Sequence, residues 1–168
     1  GPLTNIALAL RANRKAVRRM GRLVVMGGAV DVPGNVTPTA EFNFHVDPEA
    51  AAEVLASGLS IDLVPLDVTR QTVLGRDRLR KALQTTTSGV LTQRVLAFTA
   101  FGYAREALRG HAGLELHDPL AVGAAVRPDL LVWEDVRIGV EKDGRTRRLG
   151  GPPNCRVATG VDAPAFLE

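Results

Sequence analysis

Leu23-Val24-Val25-Met26-Gly27-Gly28 is a run of apolar residues closed by two glycines. With no polar alternation, it reads as a short strand buried on both faces of a parallel sheet. Upstream, Thr4 or Asn5 is placed to cap a helix in which Ile6, Leu8, Leu10, Val17 and Met20 alternate with basic residues. Downstream, a polar, proline-bearing loop runs from Asp31 to Thr39. Asp47-Pro48-Glu49 then combines an N-cap, a proline at the first helical position and an acid in the first turn, which predicts a helix to about Ser57-Gly58. Ile61 to Val68 is the next buried strand, with Pro65 an awkward member of it.

The rest of the chain continues this alternation. Two helical stretches are predicted, from Arg76 to Gln84 and from Gly89 to Arg109. In the second, Val90, Leu91, Val95, Phe98, Phe101 and Leu108 form the apolar stripe and Gly110 the stop. Asp118-Pro119 starts a short helix, with Asp118 as its N-cap. After Pro128 the pattern turns to period two around Val136, Ile138 and Val140, and Asp143-Gly144 marks a hairpin turn. Arg156 to Val161 is a last strand, and Asp162-Ala163-Pro164 opens a terminal turn. Strands alternating with helices, without a repeat or linker, give a single α/β domain over residues 1–168 with a mainly parallel sheet and a small C-terminal β-hairpin.

Composition narrows the function classes. The chain has 168 residues, 45% hydrophobic and 23% charged, which is ordinary globular usage and matches neither disorder nor a membrane bundle. One cysteine, Cys155, excludes an internal disulfide framework and a multi-cysteine zinc site and reads as a packing residue. Gly1 to Asn5 lacks the pattern of a signal peptide, so a reducing cytoplasm is expected. The net charge of +3 conceals a cluster of Arg11, Arg14, Lys15, Arg18, Arg19 and Arg22 ahead of the first acid. Such a cluster can bind phosphates, but no aromatic interleaves with it, so a solvated helix face is expected and nucleic acid is not.

In open α/β sheets ligands bind beyond the carboxyl ends of the strands. Three segments qualify: Met26 to Asn43, Asp67 to Gln71, and the turn carrying His117-Asp118. Asn35, Glu41 and Asn43 offer two amides and a carboxylate, suited either to a polyhydroxylated ligand or to a self-bonded loop in which Glu41 caps a neighbour. Asp118 is a helix cap or a ligand for a hard cation such as calcium, and His117 is a proton donor near neutral pH. His45 and His111 have no such setting and read as structural.

Gly1-Pro2-Leu3-Thr4-Asn5, Val25-Met26-Gly27-Gly28, Ala40-Glu41-Phe42-Asn43 with Asp47-Pro48-Glu49-Ala50-Ala51, Leu66-Asp67-Val68-Thr69 and His117-Asp118-Pro119-Leu120-Ala121 occur in this order. In these segments the chain resembles the inosine-uridine-preferring nucleoside hydrolases, over essentially its whole length. The resemblance implies an open, mainly parallel Rossmann-like sheet flanked by helices. It also implies calcium-dependent hydrolysis of the N-glycosidic bond of ribonucleosides to ribose and free base. Carried over position by position, Asn35, Glu41, Asn43 and Asp118 look like ribose-hydroxyl binders, and Met26 packs on the sugar. Phe42 neighbours the base or sugar, Asp118 ligates calcium, and His117 protonates the departing base.

The family's aspartate-rich D-x-D-x-G-x-D-D motif, which supplies most calcium ligands and the general base, has no match here. The resemblance is therefore to the C-terminal half of a member, with an incomplete calcium site, and implies a fragment or an independent truncated protein. Two functions follow: a nucleoside N-ribohydrolase inactive as this chain alone, or a non-catalytic nucleoside-binding or assembly module. An apolar strand such as Leu23 to Met26 at a sheet edge needs pairing, so the expected partner is a second copy or a complementing N-terminal half.

Overall fold

A computed structural model of the protein describes residues 1–86 and 89–168. Its main sheet is built from β1 (Arg22–Met26), β2 (Ser60–Val64), β5 (Leu131–Val140), β6 (Thr146–Leu149) and β7 (Cys155–Val161), in the order β1-β2-β7-β5-β6. β1, β2 and β7 run parallel, whereas β5 is antiparallel to β7 and to β6. The β5–β6 hairpin turns through Asp143-Gly144, with Glu141 N–H donating to Arg145 O at 2.9 Å. The smaller sheet pairs β3 (Val73–Leu74) with β4 (Leu114–Glu115).

Successive side chains of a strand point to opposite faces, and each face has its own helices. Val25, Ile61, Leu63 and Val157 join one core with Leu10 of α1 (Thr4–Val17), Phe44 of α2 (Phe42–Val46) and Val54 of α3 (Pro48–Leu55). Val64 and Ala158 join the other core with Val68 of α4 (Leu66–Thr69) and Leu120 and Ala124 of α7 (His117–Val126), and Val24 packs against it. The apolar run 23–26 thus serves both faces, although β1 is the end strand of the sheet and only β2 pairs with it among the described residues.

Several expectations change. Ile61 to Val68 is not one strand: Pro65, with no N–H to donate, ends β2 and becomes the N-cap of α4. Thr4 and Asn5 lie inside α1 behind an N-cap at Leu3, and the Thr4 hydroxyl instead bonds the Asp47 carboxylate. Leu8 and Met20 of the predicted apolar set are exposed. The stripe of α6 (Gly89–Leu108) is inverted: Phe98 is 89% and Leu108 90% exposed, while Tyr103 and Glu106 are buried. α5 (Arg76–Thr86) precedes it, and α8 (Ala163–Leu167) ends the chain behind an Asp162 cap on Ala165 N–H.

The basic cluster from Arg11 to Arg22 is exposed, yet four of its six members also bond within the fold. Arg11 pairs with Glu53, and Arg14 and Arg18 both donate to Ser57 O at the end of α3, where unpaired helix carbonyls attract cations. Arg22 pairs with the buried Asp62.

Candidate functional site

β1 ends at Met26 and must leave the sheet sharply, because Phe44 packs across its exit. A Cβ on Gly27 would sit 2.5 Å from the Phe44 ring, and Gly28 has φ +80°, a conformation that favours glycine. This turn aims the Gly28 N–H at the Glu41 carboxylate, 3.0 Å away. Glu41 is the N-cap of α2: it also accepts from Asn43 N–H at 2.9 Å and Phe44 N–H at 3.2 Å. It is buried, yet it borders the cavity described next.

That cavity has a volume of about 960 Å³ and opens at the carboxyl ends of β1 and β2. Met26, Asn35, Glu41, Phe42 and Asn43 line one side, and Arg70, Glu115, His117 and Asp118 line another. All three segments singled out in the sequence meet there. Asn43 donates through Nδ2 to Met26 O at 3.2 Å, fixing the amide beside the Met26 thioether, 3.5 Å away. Asn35 Oδ1 accepts from Phe42 N–H at 2.9 Å, and the Phe42 ring is half exposed. The loop between β1 and α2 is held from below. Asp67 accepts from Val30 and Asp31 N–H at 2.9 and 2.8 Å, and Arg70 donates to Pro33 O and Gly34 O at 2.7 and 2.9 Å.

His117 is the first residue of α7. Asp118 is in the first turn of that helix, not its N-cap: Leu116 holds the cap position and makes no side-chain bond. Free of capping, the Asp118 carboxylate faces the cavity with the helix N-terminus behind it. His117 Nδ1 lies 2.7 Å from Thr69 Oγ1 and Nε2 3.2 Å from Glu115 Oε2. Burial holds His117 below the ordinary imidazole range, against the opposing pull of Glu115, Asp118 and Glu41.

A third side of the cavity comes from α6 and the turn after it: Arg105, Glu106, Arg109 and His111. Glu106 is 6% exposed and pairs with His111 Nδ1 at 2.6 Å and Arg105 at 2.9 Å. Burial alone would raise its carboxyl, but His111, Arg105 and Arg109 outweigh it and hold it below the usual range. Sequence reasoning missed this wall, because α6 was read only for its apolar stripe. His111 is structural in its bond to Glu106 but borders the cavity nonetheless. Glu115 was also missed, whereas Thr69 and Arg70 lay inside the expected segment Asp67 to Gln71 without being given a role of their own. His45, bonded to Asp143 O at 2.9 Å, and Cys155, buried with its thiol pushed up to about 12 chiefly by burial, stand apart from the cavity.

Calcium takes about six to eight oxygen ligands. Among the described residues no three His, Cys, Asp or Glu side chains are grouped so as to hold a metal ion. Asp118, the expected ligand, would supply one carboxylate to such a shell, and the residues present do not fit a complete one. No helix among the described residues is long and apolar enough to cross a membrane.

Solved structures share this architecture. A purine-preferring ribonucleoside hydrolase from Gardnerella vaginalis is 34% identical with a TM-score of 0.88, over 99% of this chain and 56% of that one. A plant nucleoside hydrolase is 27% identical with a TM-score of 0.89, over 99% of this chain and 57% of its own. The non-specific ribonucleoside hydrolase RihC of Salmonella paratyphi B is 38% identical over all of this chain and 56% of its length. The chain thus spans little more than half of the curated relatives it matches. The match to the family described as inosine-uridine preferring nucleoside hydrolase runs from residue 1 to residue 168, through every segment that lines the cavity, and the chain belongs to that family.

Proposed function

We propose that this chain forms the ribose-facing and leaving-group-facing walls of a nucleoside N-ribohydrolase, which converts a ribonucleoside and water to ribose and free base. The observation that carries the reading is the convergence of Asn35, Glu41, Asn43, His117 and Asp118 on one cavity in a chain of this family. The amides of Asn35 and Asn43 donate to and accept from ribose hydroxyls. Glu41 already accepts three backbone N–H groups, leaving about one lone-pair direction for a hydroxyl. Asp118 accepts a second hydroxyl, Met26 packs on the sugar, and the exposed ring of Phe42 offers a face to sugar or base.

Cleavage proceeds with oxocarbenium character at the anomeric carbon, so the Glu41 and Asp118 carboxylates stabilise the charge that develops there. The departing base gains from a hydrogen bond from the neutral His117 ring or from a proton given by its imidazolium form, which returns to the neutral ring. The attacking water needs a general base, and none of the matched positions supplies one. The calcium expected of the family needs carboxylates beyond Asp118, which the other described residues of the cavity do not group to supply.

The incomplete ligand set and the open edge of β1 support a second element of the proposal: the chain works with complementary polypeptide, either a second copy or an N-terminal half. The test is base release from inosine and uridine by the 168-residue chain, with calcium, alone and after adding a separately produced N-terminal half of a relative. The expected result is no turnover alone, tighter association of the halves with calcium than with a chelator, and base release from the mixture. A stable mixture without base release from any nucleoside overturns the hydrolase reading in favour of a non-catalytic module. Calcium-dependent turnover by the chain alone overturns the need for a complement.

A further inference from the structure

The Leu66-Asp67-Val68-Thr69 motif has only half of its placement explained by the walls of the cavity. Asp67 anchors the loop after β1, but Thr69 borders no part of the cavity and is fully buried. Its hydroxyl lies 2.7 Å from His117 Nδ1. The backbone around it is fixed: Thr69 N–H donates to Pro65 O at 3.2 Å, and the Thr72 hydroxyl donates to Thr69 O at 2.8 Å. Thr72 O in turn accepts from Leu116 N–H at 2.9 Å, which ties the residue before His117 to the same turn.

The other ring nitrogen settles the direction of the bond. Nε2 faces Glu115, a cavity-lining carboxylate 3.2 Å away. The approach lacks hydrogen-bond geometry, but a bare Nε2 lone pair would be repelled by a carboxylate at that distance, so the hydrogen sits on Nε2. A neutral imidazole has one N–H, which leaves Nδ1 as acceptor and makes the Thr69 hydroxyl the donor. A backbone carbonyl or a carboxylate at the same place would impose the opposite tautomer, with the proton on Nδ1 and a bare Nε2 toward the cavity. A hydroxyl can also rotate and accept once the ring is cationic, so it holds the ring in both states.

We infer that Thr69 is the positioning residue of His117, its buried hydroxyl fixing the neutral ring with the hydrogen on Nε2, the nitrogen on the cavity side. The Glu115 carboxylate, 3.2 Å from Nε2, disfavours a bare lone pair there. The inference deepens the proposal that His117 donates to the departing base, and it is tested without turnover.

The experiment is nitrogen-15 NMR of the histidine rings of the 168-residue chain in mildly alkaline buffer, where the rings are neutral. The chain has three histidines, so substitution of each assigns the signals. The expected spectrum shows one His117 tautomer, with Nδ1 as a non-protonated nitrogen and Nε2 as an N–H. Thr69→Val, which keeps shape and removes the hydroxyl, moves the Nδ1 resonance toward that of an unbonded lone pair or splits the ring between tautomers. Thr69→Ser restores the original signals. A wild-type spectrum with the proton on Nδ1 overturns the inference, whether or not Thr69→Val folds. So does a folded Thr69→Val chain whose His117 nitrogens are unchanged. Base release fails or succeeds independently of either result.

Discussion

Glu41→Ala removes an acceptor from three backbone N–H groups at once, and its cost is calculable from the geometry. The bonds to Asn43 and Phe44 N–H make up the cap of α2, and losing such a cap typically costs about 1 kcal/mol. The third bond, from Gly28 N–H, runs to an ionised acceptor in a buried site, for which about 1.5–3 kcal/mol is usual. The sum is about 3 kcal/mol. Glu41→Gln separates the parts. With its oxygen in the place of Oε2 it keeps the Gly28 and Phe44 bonds and turns an NH₂ toward Asn43 N–H, at a cost of about 1–1.5 kcal/mol. Urea unfolding of the chain measures both. With a slope of about 2 kcal/mol per molar, Glu41→Ala lowers the midpoint by about 1.5 M and Glu41→Gln by about half that. An alanine variant within about 0.2 M of wild type, or a glutamine variant as damaging as alanine, would refute the three-bond reading and leave Glu41 free to act on ligand alone.

Other outcomes follow from the same geometry. In the complemented enzyme, Asn43→Ala and Asp118→Asn lower base release from every nucleoside, because both act on the shared ribose. His117→Ala is selective: it lowers release of a poor leaving base by about 10²-fold or more and barely affects an activated aryl leaving group, and uniform losses would contradict its role. Glu106 has its folded-state carboxyl held below the usual range, so its pairing with His111 and Arg105 stabilises fully above the unfolded value, about 4.3, and is lost as pH falls through the lower folded value. Melting temperatures of wild type and Glu106→Gln therefore converge only in acid, and a gap that widens as pH falls would contradict the pairing. The Cys155 thiol, buried and raised to about 12, stays unmodified by maleimide at neutral pH in the folded chain and reacts promptly in denaturant; equal rates would show an open site.

The fold was legible wherever one local cause sufficed. Leu23 to Met26 formed a strand because nothing polar interrupts it, and Asp47-Pro48 started a helix because cap and proline agree, with Asp47 accepting from Ala50 N–H at 3.0 Å. It was misread where tertiary packing decided. Pro65 looked like a blemish in a strand, yet it is the boundary between β2 and α4. The stripe on α6 has helical period, and periodicity alone cannot say which side of a helix the fold covers; the buried side here holds Tyr103 and Glu106. The basic run from Arg11 to Arg22 is exposed, as a solvated face should be, and what sequence did not show is that Arg14 and Arg18 also reach Ser57 O beyond α3.

The site was legible for a different reason. In a parallel sheet each strand end delivers its following loop to the same rim, so segments far apart in sequence share a cavity once their strands are placed. That is why Met26 to Asn43 and Asp67 to Gln71, which follow β1 and β2, could be grouped before any distance was known, whereas His117-Asp118 follows β4 of the small antiparallel sheet and reaches the rim through the Leu116 N–H bond to Thr72 O. What the grouping hid is that the residues divide by depth. Asn43, Phe42 and Asp118 present themselves to the cavity, whereas Glu41 is mostly bound by backbone N–H groups and Thr69 lies wholly beneath the rim. Both alternatives for Glu41, cap and cavity group, describe one carboxylate, since a cap with a lone pair to spare is a rigidly aimed acceptor. Supporting residues such as Thr69 and Asp67 carry no reactive signature in sequence. Their ordinary side chains matter only through the group or the loop that each of them holds still.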